Sequence, residues 1–399
     1  MAATITTIPN EVKFCRDSFE FYLTTTALTF DPNTRYSVQM LIKWYLTGTG
    51  LISISPPVFF QHGDGFNNLS ERLTAAMESH SATRHLPAYG ASNLALNFSF
   101  CKYLFLLQEY SGTPLAASGS ADSTDNYANF YALYGGSAFD KYNGNAFLNN
   151  YFTGLAPFLT NAPVSKRTQK DCQEFLSFLI PGTPPTNFKT FVKLTYTDGT
   201  FSSYRITQSS GSYPAWDYTF WRAPAGYAAL NIDANKIKEV WYYEVQVQDN
   251  SNNPLTEIRK FIVDPIPYAY KRKLIWKNSK GGEDSFYFTG LGEYTTEITQ
   301  SSSAHYIPIY GAEIMEGQMS TANKLEQGAV KVSTFLESLQ EAHWLRDLKL
   351  SSLIFEDNGS NFLPIEIIPG TFSIEQASAS GYRVEFEYKY KFKNHSITL

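Results

Sequence analysis

The stretch "LIWKNSKGGEDSFYFTG" at residues 274–290 sets a glycine pair beside a lysine and follows it at once with two carboxylates. Lys280, Gly281 and Gly282 are residue types that cradle an anion, and Glu283 with Asp284 are types that move a proton. Each chemistry makes a demand on its neighbours. A phosphate loop needs further glycines and a helix directly behind it, whereas "SFYFTG" is a strand pattern. A shared proton needs both carboxylates on one side of the backbone, and adjacent strand residues point to opposite faces. Leu274 and Trp276 alternate before the glycines, and Phe286 and Phe288 after them, which predicts two strands joined around "NSKGG". Gly281 and Gly282 then supply the positive φ that such a joint requires. The stretch reads as a turn.

Elsewhere the chemistry-bearing residues are scattered. None of the six histidines (His62, His80, His85, His305, His343, His395) stands in an HExxH pattern or beside a GxSxG turn. His80 and His85 come together in "SHSATRH", where they read as the solvated end of a short helix. Cys15, Cys101 and Cys172 are widely spaced and odd in number, with no CxxC pair, so they read as free structural thiols. The basic run "YKRKLIWK" at 270–277 alternates across a strand and sends half of its charge to each face. It reads as a solvated edge strand whose lysines discourage stray pairing, not as a nucleic-acid site. Trp216 and Trp221 in "YPAWDYTFWRAP" could stack on sugar rings, with core packing as the simpler role. No paired-carboxylate site for glycoside hydrolysis presents itself. The expectation is a chain that is not an enzyme, with no catalytic, cofactor-binding or metal-binding residues.

The totals bound the elements that hold these residues. The chain has 399 residues, room for two or three domains and for a core that needs no metal or disulfide staple. A net charge of −5 with 17% charged residues draws the whole molecule neither to nucleic acid nor to an anionic membrane. Tyr (27) and Phe (30) abound, and they favour pleated, half-buried surfaces and wet protein interfaces. The opening "MAATITTIPNEVKF" lacks the basic and apolar regions of a signal peptide, and no window reaches the ~18–20 apolar residues of a membrane span. Synthesis in the cytoplasm without a cleavable signal is expected, so the sequons at Asn68 and Asn97 carry little meaning.

Three β-rich regions are expected, joined by proline-rich segments. The first, residues 1–182, has strand patterns at 18–25, 35–48 and 93–110, a short helix at 68–80, and an aromatic, Gly-rich excursion at 111–165 that reads as irregular but docked. The linker "IPGTPPTNF" opens the second region, 183–266, where Asp198-Gly199 marks a hairpin. Its strand spacing suggests an immunoglobulin- or fibronectin-like sandwich without the Cys–Trp–Cys signature. The third region, 267–399, starts at the quoted stretch. Val332, Phe335, Leu336, Leu339 and Ala342 form an apolar stripe there, and Thr334 with Glu337 has capping-box spacing, which predicts one amphipathic helix over 332–348. The fold class is thus mainly β: two or three sandwich domains in series with few helices.

The order of pieces resembles structural proteins of tailed phages and prophages of Bacteroidota, crAss-like phages included. The resembling pieces are "IPNEVKFCRDSFEFYL", then "LLQEYSG", "LYGGSAF" and "FLTNAP". The quoted turn follows, with Trp276, Asn278, Gly281, Gly282, Asp284, Phe286, Phe288 and Gly290 in the matching positions, and then "WLRDLKLSSLIFEDNGSNFLPIEI" and "YRVEFEYKYKF". The resemblance implies a virion component of the tail, baseplate or collar, without catalysis, assembled as a ring of copies against other virion proteins. An adhesin or carbohydrate-binding module that recognises a host-surface glycan is the alternative, resting on Trp216 and Trp221.

Overall fold

In the computed structural model the residues described are 154–211, 218–290, 292–304, 319–378 and 381–392, and before these the strands named next together with 90–93, 134–136 and 151. Strands account for 51% and helices for 8%, so the chain is mainly β, with several sheets. The first nine strands are β1 (Ala3–Thr7), β2 (Val12–Phe14), β3 (Tyr22–Thr25), β4 (Arg35–Lys43), β5 (Ile52–Ser53), β6 (Val58–Gln61), β7 (Ala95–Leu96), β8 (Phe100–Tyr110) and β9 (Ser123–Leu133). Then come β10 (Ser165–Thr168), β11 (Phe175–Pro181), β12 (Asn187–Tyr196), β13 (Phe201–Ser209), β14 (Tyr218–Pro224), the short α1 (Ile232–Asn235), β15 (Val240–Gln248) and β16 (Arg259–Val263). The remainder holds β17 (Arg272–Lys277), β18 (Glu283–Phe288), β19 (Glu293–Ala304), β20 (Met319–Leu336), α2 (Leu339–Leu350), β21 (Ile354–Asp357), β22 (Phe362–Ile367), β23 (Ser373–Ser378) and β24 (Gly381–Tyr390).

The chain forms two compact units: residues 1–263 with 278–284, and residues 264–277 with 285–399. In the first unit β10-β16-β15-β12-β13 make one sheet, β11-β14-β7 a second, and β2-β9-β8-β4-β5 a third, with β6 also on β4 and with β1 paired to β3. Period-2 alternation explains the inner sheet faces: Phe188, Val192 and Leu194 of β12 are buried, as are Val245 and Val247 of β15. They share a core with Phe178 of β11 and Trp221 of β14, and the Phe188 and Trp221 rings lie 4.8 Å apart. Each such side chain contributes roughly 1.5–3 kcal/mol relative to exposure, more than a typical single hydrogen bond. Gly199 (φ +80°) turns the expected hairpin between β12 and β13, and the Asp198 carboxylate accepts from the Thr200 amide at 3.0 Å.

Two expectations for this part of the chain change. Residues 182–183 do not divide the sheets: β10 and β11 precede "IPGTPPTNF", yet β10 pairs in parallel with β16 and β11 pairs with β14, both beyond it. Proline-rich composition marks a connection that leaves a sheet as readily as one that leaves a domain. The 111–165 excursion contains β9, a strand held between β2 and β8. The helix expected at 68–80 lies outside the described residues.

In the second unit the sheet order is β18-β17-β21-β22-β24-β20-β19, with β23 also on β24. The helix expected over 332–348 is displaced. Residues up to Leu336 belong to β20, where Val330, Val332, Thr334 and Leu336 are buried at strand spacing and pair with β24 (Val332↔Phe386, Thr334↔Val384). The helical stripe expected there counts Phe335 and Leu339, and both are exposed. The helix α2 begins at Leu339, and its capping box is Ser338 with Glu341: the Ser338 hydroxyl accepts from the Glu341 amide at 3.1 Å. Its buried face sets Trp344 against Trp276 at 5.5 Å and Phe286 at 5.8 Å.

Candidate functional site

The 278–284 turn belongs to the first unit. Asn278, fully buried, organises it. Its side-chain oxygen accepts from the Lys280 amide (2.9 Å) and the Gly282 amide (3.0 Å), and its Nδ2 donates to the Leu159 carbonyl (2.9 Å). The Gly136 amide donates to the Ser279 carbonyl at 2.9 Å, and Lys280 Nζ donates to the Thr160 carbonyl at 3.1 Å. The lysine that could have met an anion therefore meets backbone oxygen. Gly281 has φ +82°, and a Cβ there would lie 2.7 Å from the Tyr134 carbonyl oxygen. The glycine pair permits a reversal and a close approach at once.

The two carboxylates go to separate partners, as opposite strand faces require. Glu283 accepts from Ser177 Oγ at 2.9 Å and pairs with Arg222 at 3.3 Å; Asp284 accepts from Thr160 Oγ1 at 2.6 Å. Both are buried. A second buried pair joins Lys166 to Glu174 at 2.5 Å, with Thr168 donating to the same carboxylate at 2.8 Å. Lys166, Glu174, Arg259 and Asp284 line a cavity of about 20 Å³, room for one water and no substrate. Tyr151, wholly buried, accepts from the Leu179 amide at 2.8 Å, and burial holds its hydroxyl far above the usual tyrosine range. This chemistry is pairing of buried charge: separated partners would be expensive, so the arrangement fixes register.

Other sequence candidates disperse. Trp221 is buried in the core, its Nε1 donating to Thr219 Oγ1 at 2.8 Å, so it cannot face a sugar; Trp216 lies outside the described residues. His80, His85, Cys15, Asn68 and Asn97 also lie outside them, Cys101 is described only as part of β8, and Cys172 is a buried thiol that is not in a disulfide. His343 is exposed on α2. The basic run is not on an edge: β17 lies between β18 and β21, and its Arg272 and Lys273 pair with Glu356 (2.8 Å) and Asp357 (3.3 Å). Among the described residues, no three His, Cys, Asp or Glu side chains converge as metal ligands.

What sequence reasoning missed is the outer face of the five-stranded sheet. Since Phe188, Val192 and Leu194 point inward, Lys189, Phe191 and Lys193 point outward. The pairing registers then set Phe201, Thr195, Tyr242, Ile262 and Arg167 in one row across the sheet, and Ser203, Lys193, Glu244, Lys260 and Ser165 in the next. Thr195 faces Tyr242 while Tyr196 faces Val240, so Trp241 is the extra residue of a bulge and is 53% exposed. Phe201 is 69% exposed. Lys260 Nζ stands 3.7 Å from the Tyr242 ring centre and 5.9 Å from that of Trp241, Lys193 stands 5.6 Å from Phe201, and Arg205 5.0 Å from Phe191. The Trp-Tyr-Tyr run at 241–243 was the visible signal, since one of three adjacent rings in a strand must leave the core.

Comparison with protein-family models finds no match for this sequence, and comparison with the curated proteins finds none either.

Proposed function

We propose that the chain is a non-catalytic structural subunit of a tailed-phage virion, assembling as an oligomer with copies of itself and with other virion proteins in the tail, baseplate or collar. The five- and three-stranded sheets of the first unit are, in this reading, an immunoglobulin-like sandwich that serves as scaffold. The observation that carries the assembly is a two-stranded ribbon. Met319–Gly328 of β20 pair with β19 and, among the described residues, with no other strand, because β24 joins β20 only from Ala329 onward. These ten residues, eight of them paired with β19, span roughly 34 Å, and an isolated two-stranded ribbon is marginal in water. A neighbouring subunit that adds a strand or covers the ribbon supplies the missing stability, as in strand-addition recognition. The buried carboxylates, answered within their own unit, support a scaffold role over a catalytic one.

The test is the mass of the purified full chain in solution across a wide concentration range, beside a variant in which the hairpin is closed by a short turn just beyond the Glu297↔Gln327 pair. A discrete oligomer that the shortened variant fails to form is the expected result. A full chain that stays a monomer at the highest concentration in virion-like buffer overturns the reading.

A further inference from the structure

We infer that the outer face of the β10-β16-β15-β12-β13 sheet binds an acidic polysaccharide, with Trp241, Tyr242 and Phe201 as the ring-stacking shelf and Lys260, Lys193, Arg205 and Arg167 as the charge. This binding site is independent of the assembly reading.

Charge points to the class of ligand first. Arg167, Lys189, Lys193, Arg205 and Lys260 give the face five cations against the single carboxylate of Glu244, a net of +4 on a chain whose total is −5. The sign is locally reversed, which draws an anionic partner to that face. The rings come second. Phe201 and Trp241 stand largely in solvent, where they add little to the buried core. The bulge that ejects Trp241 is the kind of irregularity that re-aims a side chain. Trp241 on β15 and Phe201 on β13 are separated by one intervening strand, so about 10 Å apart across the sheet, a span suited to two linked sugar rings. Cations already seated over Tyr242, Phe201 and Phe191 are held in place, which lowers the entropy lost on capturing a carboxylate or sulfate.

A single-stranded nucleic acid would also want rings and cations, and Glu244 argues against it. That carboxylate sits between Lys193 and Lys260 in the middle of its row, bonded to Lys193 at 3.0 Å. It repels a phosphodiester, carboxylate or sulfate alike, but it accepts the hydroxyl hydrogens that a sugar chain carries between its charged groups, which a DNA backbone lacks. Ser203 and Ser165, both exposed on the same face, add hydroxyl partners of the kind a sugar meets.

The experiment is affinity electrophoresis and calorimetry of the intact chain with polygalacturonate, alginate and heparin, with dextran as the neutral control and oligo(dT) as the nucleic-acid control. Retention by at least one acidic polysaccharide and not by dextran is expected, weakening as salt rises. Trp241→Ala and Lys260→Ala each weaken it by about tenfold, and Trp241→Phe retains most of it. Both side chains lie on the outer face, and unchanged thermal midpoints certify that the variants are folded. Silence towards all three polysaccharides, equal retention by dextran, or binding that neither alanine variant alters overturns the inference. So does equal or tighter binding of oligo(dT) that depends on the same two residues, which would assign the face to nucleic acid.

Discussion

The Leu159 carbonyl oxygen occupies the space that a side chain at Gly282 would need: a Cβ there would stand 2.4 Å from it. Backbone oxygen cannot swing away as a flexible side chain can. Gly282→Ala should therefore destabilise the first unit by about 2–3 kcal/mol through overpacking. Gly154→Ala is the control, since a Cβ there meets nothing within 4 Å, and it should fall within about 0.5 kcal/mol of the parent. Chemical denaturation of the two variants decides it, and equal midpoints would remove the close approach from the account.

Asn278 holds the same turn from inside. Asn278→Asp keeps the oxygen that receives the Lys280 and Gly282 amides but sets a second oxygen against the Leu159 carbonyl in place of the Nδ2 donor. Asn278→Ala removes all three bonds without adding repulsion. The prediction is a loss of about 1–3 kcal/mol in each at neutral pH, with the aspartate variant recovering part of its loss in acid, where its carboxyl becomes a donor. Denaturation curves at two pH values test this; an alanine-like aspartate variant with no acid recovery contradicts it.

Glu283 and Arg222 form a buried pair whose value depends on both members. Glu283→Ala leaves the Arg222 guanidinium and the Ser177 hydroxyl without that anion, and should cost about 3–5 kcal/mol. Arg222→Met beside Glu283→Leu should cost much less than the sum of the single changes. A double-mutant cycle with a coupling energy near zero would mean that the 3.3 Å contact carries no stability.

How much of this was legible in the sequence depends on the range of the contact. The strand–turn–strand at 274–290 could be read because alternation and a glycine pair are local signals, and so could the hairpin at Asp198-Gly199. What the turn docks on could not: Leu159 and Tyr134 lie more than a hundred residues away, and no periodicity encodes a partner. Over 332–348 the apolar residues satisfy both a helical and a strand period. The pairing of Val332 and Thr334 with Phe386 and Val384 decides between them, and that pairing is again long-range. Trp241 is harder still, because an ejected ring follows from a one-residue mismatch between two strands.

The displaced helix start gives a prediction of its own. Ser338→Ala should cost about 1 kcal/mol, since its hydroxyl receives the Glu341 amide, whereas Glu337→Ala should leave that cap intact and cost less, because residue 337 lies before it. Thermal unfolding of the two variants separates the observed cap from the Thr334–Glu337 box expected from sequence. A larger loss at Glu337 than at Ser338 would favour the earlier start.

Buried tyrosines make stability fall in alkali. Tyr151 and Tyr243 of the first unit and Tyr388 of the second are held well above the ordinary value of 10.0, in each case chiefly by burial; a nearby carboxylate (Glu257, Glu174 and Glu356 respectively) adds to the shift. In the unfolded chain these hydroxyls ionise near their ordinary value, whereas the folded chain keeps their protons. The unfolded state thus binds fewer protons above that point, and each tyrosine removes about 1.4 kcal/mol of stability per pH unit as the pH rises further. Below it the stabilisation is complete, so neutral and mildly alkaline solutions should show no effect from this source. Phenolate absorbance followed beside circular dichroism should rise for these residues only as the fold is lost. The first-unit transition should move to higher pH in Tyr151→Phe, which keeps the ring and has no proton to lose, once its lower stability at neutral pH is subtracted. Full phenolate formation near the ordinary tyrosine value with the circular dichroism unchanged would mean that these hydroxyls are not sealed from water.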